Sequence, residues 1–310
     1  MTRFASFSLV ALALALAPAC KQDATPAAKP ATADAKKPDD KATPSPAATA
    51  PAAPADAAAA PVATGPTGAR LKLPSQAPQT GAKITTADAM EMHMDIEANG
   101  QKMAMTQSKV EKNTIEVLAA TPEAMTKIRV VYGERSQQQT MNGQAKANPD
   151  PLAGHTYVVE AKDGKISATR EGHPASADES AELEREWKSL GQQEKMAKLM
   201  ASREFVVGER VALTGDEMKA LMDDESDKSA VVDAAITLTG VEGAQATFSM
   251  EMTFQVKDGP PLSIPLRGTV VVDAQKGWPL EFKMEGPIKG SAQGYNFEGA
   301  MKASKTFQYQ

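Results

Sequence analysis

The sequence predicts an α+β chain built mainly of antiparallel β-strands, a curved sheet or half-barrel with a helical insertion near residues 176–222. Three observations predict it: period-two alternation of apolar and polar residues with turn signals between the runs, a change to helical spacing behind capping signatures in mid-chain, and the return of period two towards the C-terminus. The first strands are read from Met92, Met94 and Ile96, which alternate with polar residues, and from Met103 and Met105 beyond Asn99-Gly100. Asn-Gly favours a two-residue hairpin turn, which sets Ile96 opposite Met103 and Met94 opposite Met105, so turn and pattern agree in register. Further strands follow at Ile115 and Val117, at Ile128, Val130 and Tyr132, and at Tyr157 and Val159, the last returning across Asp163-Gly164 to Ile166 and Ala168. Ser136–Thr140, Asn142-Gly143 and Asn148-Pro149-Asp150-Pro151 read as a long exposed loop, the kind of segment on which a binding surface sits.

The period then changes. Ser176-Ala177-Asp178-Glu179 is a capping box, followed at helical spacing by Leu183, Trp187 and Leu190 and then by Met196, Leu199 and Met200. Thr214-Gly215-Asp216-Glu217 repeats the signature ahead of Met218, Leu221 and Met222. A second strand series runs through Val232, Ala234, Ile236 and Leu238, then Phe248 to Val256, Leu262 to Leu266, Val270 and Val272, and Leu280 to Met284. Turns at 240–243, Asp258-Gly259 and Lys276-Gly277 separate these runs into a meander. Alternation gives each strand one wet and one dry face, and the dry face must curl on itself or lie under the insertion.

Composition excludes several functions. The chain has 34 Lys and Arg against 39 Asp and Glu, a net charge of -5, and no long basic run, so it carries no nucleic-acid footprint. A single cysteine, Cys20, can make neither an intramolecular disulfide nor a Cys-ligated zinc site. Residues 1–19 read as a signal peptide, with Arg3 ahead of an apolar run from Phe4 to Leu16 that falls short of the roughly 17–25 residues a spanning helix needs. From Lys21 to about Gly68 the chain is mostly Ala, Pro, Lys, Asp, Thr and Ser. Such a stretch cannot bury a core, and its prolines oppose helix, so residues 20–69 are expected to be a disordered tether with a root-mean-square span on the order of 35–40 Å. Residues 70–310 are expected to form one β-rich globular domain.

Ala17-Pro18-Ala19-Cys20 resembles the lipobox of bacterial lipoproteins, in which a small residue precedes a cysteine that is diacylated on sulfur and becomes the new N-terminus. The family's Leu three residues before the cysteine is Ala17 here, with Leu16 one step away. The resemblance implies lipidation at Cys20, and Lys21 in the following position implies the outer membrane. The alternative is an ordinary A-x-A cleavage site at Ala17 and Ala19 that leaves Cys20 a free thiol. The plan of the β domain is similar to the lipid-carrying open barrel of the lipoprotein-localisation type, with helices in its mouth, and to uncharacterised envelope lipoproteins with a tethered β domain.

Met90, Met92, Met94, Met103 and Met105, with His93 among them, raise the question of Cu(I), for which clustered thioethers are suitable ligands. Strand alternation sends His93 to the opposite face, and Met250, Met252 and Met284 occupy apolar positions elsewhere, so core packing or the lining of a greasy pocket is the leading reading and copper the lesser one. Phe248, Phe254 and Phe282 join these methionines as candidate lining. His155 and His173 have no partner at diagnostic spacing, and the acidic run Asp223-Asp224-Glu225-Ser226-Asp227 lacks the ligand spacing of a calcium loop. With no hydrolase, phosphate-binding or dinucleotide motif and no implied cofactor, the chain is expected not to be an enzyme. It reads as a lipid-anchored envelope protein whose β domain binds an envelope protein or cell-wall polymer or acts structurally; the alternative is a carrier or sensor of a lipid or other apolar ligand.

Overall fold

A computed structural model describes residues 68–310 except 99, 148–149, 222–228, 257–261 and 293. The signal peptide, Cys20, the tether before residue 68, the acidic run and the Asp258-Gly259 turn lie outside the described residues. The strands are β1 (Arg70–Lys72), β2 (Lys83–Ala98), β3 (Gln101–Ala120), β4 (Met125–Met141), β5 (Gln144–Ala147), β6 (Thr156–Lys162), β7 (Lys165–Arg170), β8 (His173–Pro174), β9 (Glu204–Val206), β10 (Arg210–Ala212), β11 (Ser229–Glu242), β12 (Gln245–Val256), β13 (Leu262–Asp273), β14 (Pro279–Ala292) and β15 (Tyr295–Tyr309). The helices are α1 (Ala177–Trp187), α2 (Lys195–Ala201) and α3 (Gly215–Leu221).

One 13-stranded antiparallel sheet runs in the order β10-β11-β12-β13-β14-β15-β2-β3-β4-β6-β7-β8, with β5 paired to β4; β1 and β9 form a separate pair. The sheet is large and curved but not closed into a barrel. Its two edge strands are three and two residues long. The last strand unites the two halves, for β15 pairs with β2 from Tyr295 opposite Ala98 to Tyr309 opposite Ile84. At two strand positions a side chain would not fit. A Cβ on Gly268 would lie 1.9 Å from the Lys283 carbonyl oxygen, and one on Gly299 2.1 Å from that of His93, so glycine lets the neighbouring backbone approach this closely.

The first hairpin has the register read from the sequence: Ile96 pairs with Met103, Met94 with Met105, and Ala98 with Gln101 across a two-residue connection. At the β6–β7 turn Asp163 and Gly164 have φ of 51° and 73°, as a two-residue primed turn requires. Ser176 caps α1 as a reciprocal capping box with Glu179, and the Thr214 hydroxyl and Glu217 carboxylate exchange the same two bonds at α3. Helix α1 lays Leu183 and Trp187, with Leu190 beyond its end, on Ile84, Ile115, Val130 and Tyr157. The Trp187 indole N–H donates to the Tyr132 hydroxyl at 2.8 Å, so this core carries its polar atoms in pairs.

Three features depart from the reading of the sequence. Residues 136–141 are not loop but the end of β4, and Asn142 and Gly143, with φ of 50° and 79°, turn the chain into β5. The glutamines there pair through backbone with Lys109, Ser108 and Gln107 of β3, a bond that needs no apolar side chain. The insertion also holds β9 and β10, too short to show a period. Finally, β15 is a full-length strand, although Gly299 and Lys305 interrupt the inward series Phe297, Met301, Ala303 and Phe307.

Candidate functional site

Cross-strand pairing lines up one row of residues over eight strands of the inner face. Leu238, Phe248, Val270 and Phe282 follow one another on β11 to β14, and Lys305, Asp88, Glu111 and Arg135 continue the row on β15, β2, β3 and β4. The face is therefore apolar in one half and charged in the other. Two residues along, Ile236, Met250, Gly268 and Met284 give way in the same manner to Ala303, Met90, Lys109 and Gln137.

The charged half surrounds a cavity of about 190 Å³ beneath α1. Carboxylates of Asp88, Glu111, Asp150, Glu182 and Glu186 line it together with the cations of Lys109, Arg135, Arg185 and Lys305. Arg135 is its hub. With a side chain only 4% exposed, Arg135 donates from Nε to Asp150 at 2.6 Å and from Nη1 to Glu186 at 3.2 Å, while Nη2 lies 3.0 Å from Glu111. Its guanidinium carbon sits 4.7 Å from the centre of the Tyr132 ring. Burial works against the Arg135 charge, and the carboxylates of Glu186, Glu111 and Asp150 more than offset it. Lys305 donates to Asp88 at 2.5 Å, Lys109 pairs with Glu111 at 2.8 Å, and Arg185 pairs with Glu182. Burial pushes the Asp88 carboxyl above its ordinary value, against the pull of Lys305.

A neighbouring polar group has the opposite tendency. Glu179 accepts from the Tyr157 hydroxyl at 2.6 Å, the Ser176 backbone N–H at 2.8 Å and Arg170 at 2.9 Å. The Tyr157 bond foremost, with that from Ser176, holds its carboxyl down at about 2.

A second concavity lies at the end of the sheet where the β2–β3, β4–β5 and β14–β15 turns come together. It is an open hollow of about 640 Å³, with Ile96, Met103 and Phe297 contributing apolar surface and Asp95, Glu97, Lys102, Lys289 and Glu298 charge. A third, bordered by Leu73, Met196, Met200, Ile236 and Met250, holds only about 30 Å³.

The seven residues singled out as candidate lining all belong to the inner face, but they do not converge on one site. Met92, Met94, Met105, Phe248, Phe254 and Phe282 are buried, and Met103 is half-buried. Met103 borders the end cavity, Phe282 borders the charged one, and Phe248 meets Phe205 of β9 edge-on at 5.0 Å. His93 is exposed, 3.6 Å from Asp95 on the outer face. His155 stands edge-on to Tyr157, and His173 is exposed in β8. Among the described residues no group of His, Cys, Asp or Glu is placed to hold a metal ion, and no helix is long and apolar enough to cross a membrane. The charged belt itself escaped the sequence reading. Its signal was Asp88 in phase with Ile84 and Met92, and Glu111 in phase with Ile115, on successive strands.

No protein-family model and no curated protein matches the chain significantly. Among solved structures it is similar to lipovitellin, described for its lipid–protein interactions, at 6% identity and a TM-score of 0.39, over 75% of this chain and 26% of that one. It is also similar to DynF of the dynemicin biosynthesis pathway of Micromonospora chersina, at 8% identity and a TM-score of 0.19, over 80% and 92% of the two chains. A third is an outer membrane channel from Pseudomonas putida F1, at 10% identity and a TM-score of 0.20, over 76% and 98%. The chain thus spans about a quarter of lipovitellin, and likeness at these scores carries no functional argument.

Proposed function

We propose that this chain is a non-enzymatic binding protein of the cell envelope, moored through a lipid on Cys20, whose curved sheet takes a lipid or other apolar ligand at its turn-bearing end. The observation that carries the ligand class is the cavity of about 640 Å³ bordered by Ile96, Met103 and Phe297, within the range of about 300–1,000 Å³ common to small-molecule sites. An acyl chain lying on those three side chains leaves water, while Lys102 and Lys289 stand where a headgroup would meet solvent. The mooring rests on the lipobox-like residues before Cys20, and the Ala- and Pro-rich stretch after it gives the domain reach from the bilayer.

The test is mass spectrometry of the full chain isolated from its own cells. The intact mass is expected to show a cleaved leader and an acylated Cys20, and the organic extract a lipid that is not covalently held. Met103→Glu, which sets a charge in the apolar wall, is expected to strip that lipid while leaving the acylation. A bare thiol at Cys20 would remove the mooring; an extract without lipid would remove the ligand.

A further inference from the structure

We propose that the charged cavity beneath α1 binds one alkylammonium group, which donates to Asn113 Oδ1 and is neutralised by the cavity's surplus carboxylate. Asn113 lies on β3 between Thr86 of β2 and Tyr132 of β4, is only 8% exposed, and lines this cavity. Its Oδ1 has no hydrogen-bond partner among the described residues. A buried acceptor without a donor is costly, so the partner it calls for is a donor.

Charge then selects among donors. Each cation of the wall is already engaged: Lys305 with Asp88, Lys109 with Glu111, Arg185 with Glu182, and Arg135 with three carboxylates. An anionic ligand would compete with the carboxylates these cations already face and would add to the negative side of the wall. The wall also carries one carboxylate more than it has cations, so a positive ligand completes the balance that a neutral one would leave unmet. Asp88, held above its ordinary value by burial with Glu111 opposite, is the group a further cation would relieve. Met90 and Phe282 border the same space and suit a short alkyl stem, and about 190 Å³ admits a small amine rather than a long chain. The ammonium can belong to a free amine or to the ethanolamine headgroup of a lipid. This site is separate from the cavity at the turn-bearing end, and its failure would leave the lipid reading standing.

The experiment is a calorimetric titration of the full chain with ethylammonium, ethanol and acetate, with the side-chain amide resonances of Asn113 placing the ligand in the unmodified chain. Saturable binding of ethylammonium alone is expected. Asn113→Asp, which adds a carboxylate at the acceptor, is expected to tighten it about tenfold, and Asn113→Leu to weaken it about tenfold or more, as for hydrogen bonds to charged groups. A purely structural asparagine would show no gain in the aspartate variant. Displacement of ethylammonium by lyso-phosphatidylethanolamine micelles but not by lyso-phosphatidylglycerol ones assigns the headgroup, and indifference to both assigns a free amine. Absence of saturable ethylammonium binding, an equal response to acetate or ethanol, or displacement by both micelles overturns the proposal. The charge selectivity of the unmodified chain decides the matter even if a variant fails to fold.

Discussion

Two halves of one row solve the same burial problem by different means. From Leu238 to Phe282 the row is apolar, and Phe205 and the buried faces of its neighbours shut out water. From Lys305 to Arg135 the same row, continued strand by strand, is ionic and meets Glu182 and Glu186 of α1. Apolar packing is non-directional, so the first half holds wherever volume is filled. The ionic half holds only while every partner is present, because desolvating a charge is repaid only by good pairing. That difference makes the apolar half a scaffold and the charged half a place where chemistry can be selective.

The sharpest way to break this comparison is to change one residue in each half. Arg135→Met removes a cation that faces Glu111, Asp150 and Glu186 at once, and is expected to cost about 3–5 kcal/mol, as does removing one partner of a buried ion pair. Leu238→Met keeps the site apolar and its volume nearly unchanged, and is expected to cost less than about 1.5 kcal/mol, in the manner of volume-conserving core changes. Urea unfolding at neutral pH measures both. Equal losses would show that the ionic half is held by packing as the apolar half is, and the distinction would fall.

How much of this the sequence disclosed follows from the same contrast. The β2–β3 register was legible because Met94, Ile96, Met103 and Met105 obey one period on both sides of a turn pair, and α1 was legible because Ser176 and Glu179 cap it ahead of Leu183 and Trp187. In the belt the period persists but its occupants change: Thr86, Asp88, Lys109, Glu111 and Asn113 point inward at positions where an apolar pattern shows only a gap. Their meaning is set by what lies across from them, and Arg135 reaches Glu111 only because a register shift falls between Glu111 and Asn113 in the β3–β4 pairing. Turn-end cavities are harder still, since Met103 and Phe297 become neighbours only through the pairing of β15 with β2.

Acid titration sharpens the comparison, because two carboxyls, buried Glu179 and half-buried Asp88, have opposite slopes. Glu179 is held down at about 2 from an ordinary value of 4.5, so its contribution is complete above about 4.5 and is lost as pH falls towards about 2. Asp88 is raised above 3.8, so the native state keeps its proton after the unfolded chain has released it, and its contribution declines as pH rises from 3.8 through the raised native value. Unfolding curves across pH 2 to 6 are expected to lose the acid limb in Glu179→Gln and to lose the opposing decline in Asp88→Asn. Like slopes in the two variants would mean that burial and hydrogen bonding do not divide these sites.

The smallest effect is expected one residue from the belt. Lys112 follows Glu111 on β3 and, because alternate side chains point to opposite faces, turns outward, where it pairs with Glu134 at 3.0 Å with both side chains 59% exposed. Water already solvates both charges, so the pair gains little beyond what each has in the unfolded chain, and Lys112→Ala is expected to shift stability by less than about 1 kcal/mol. The shift should shrink further in high salt, which screens exposed charges more than buried ones. Glu111→Ala, by contrast, deprives Lys109 and the buried Arg135 of a partner, and is expected to cost several times as much with little salt dependence. If the adjacent residues responded alike to substitution and to salt, the belt would be an exposed ion network, and neither the selectivity of the cavity nor its separation from the apolar half would survive.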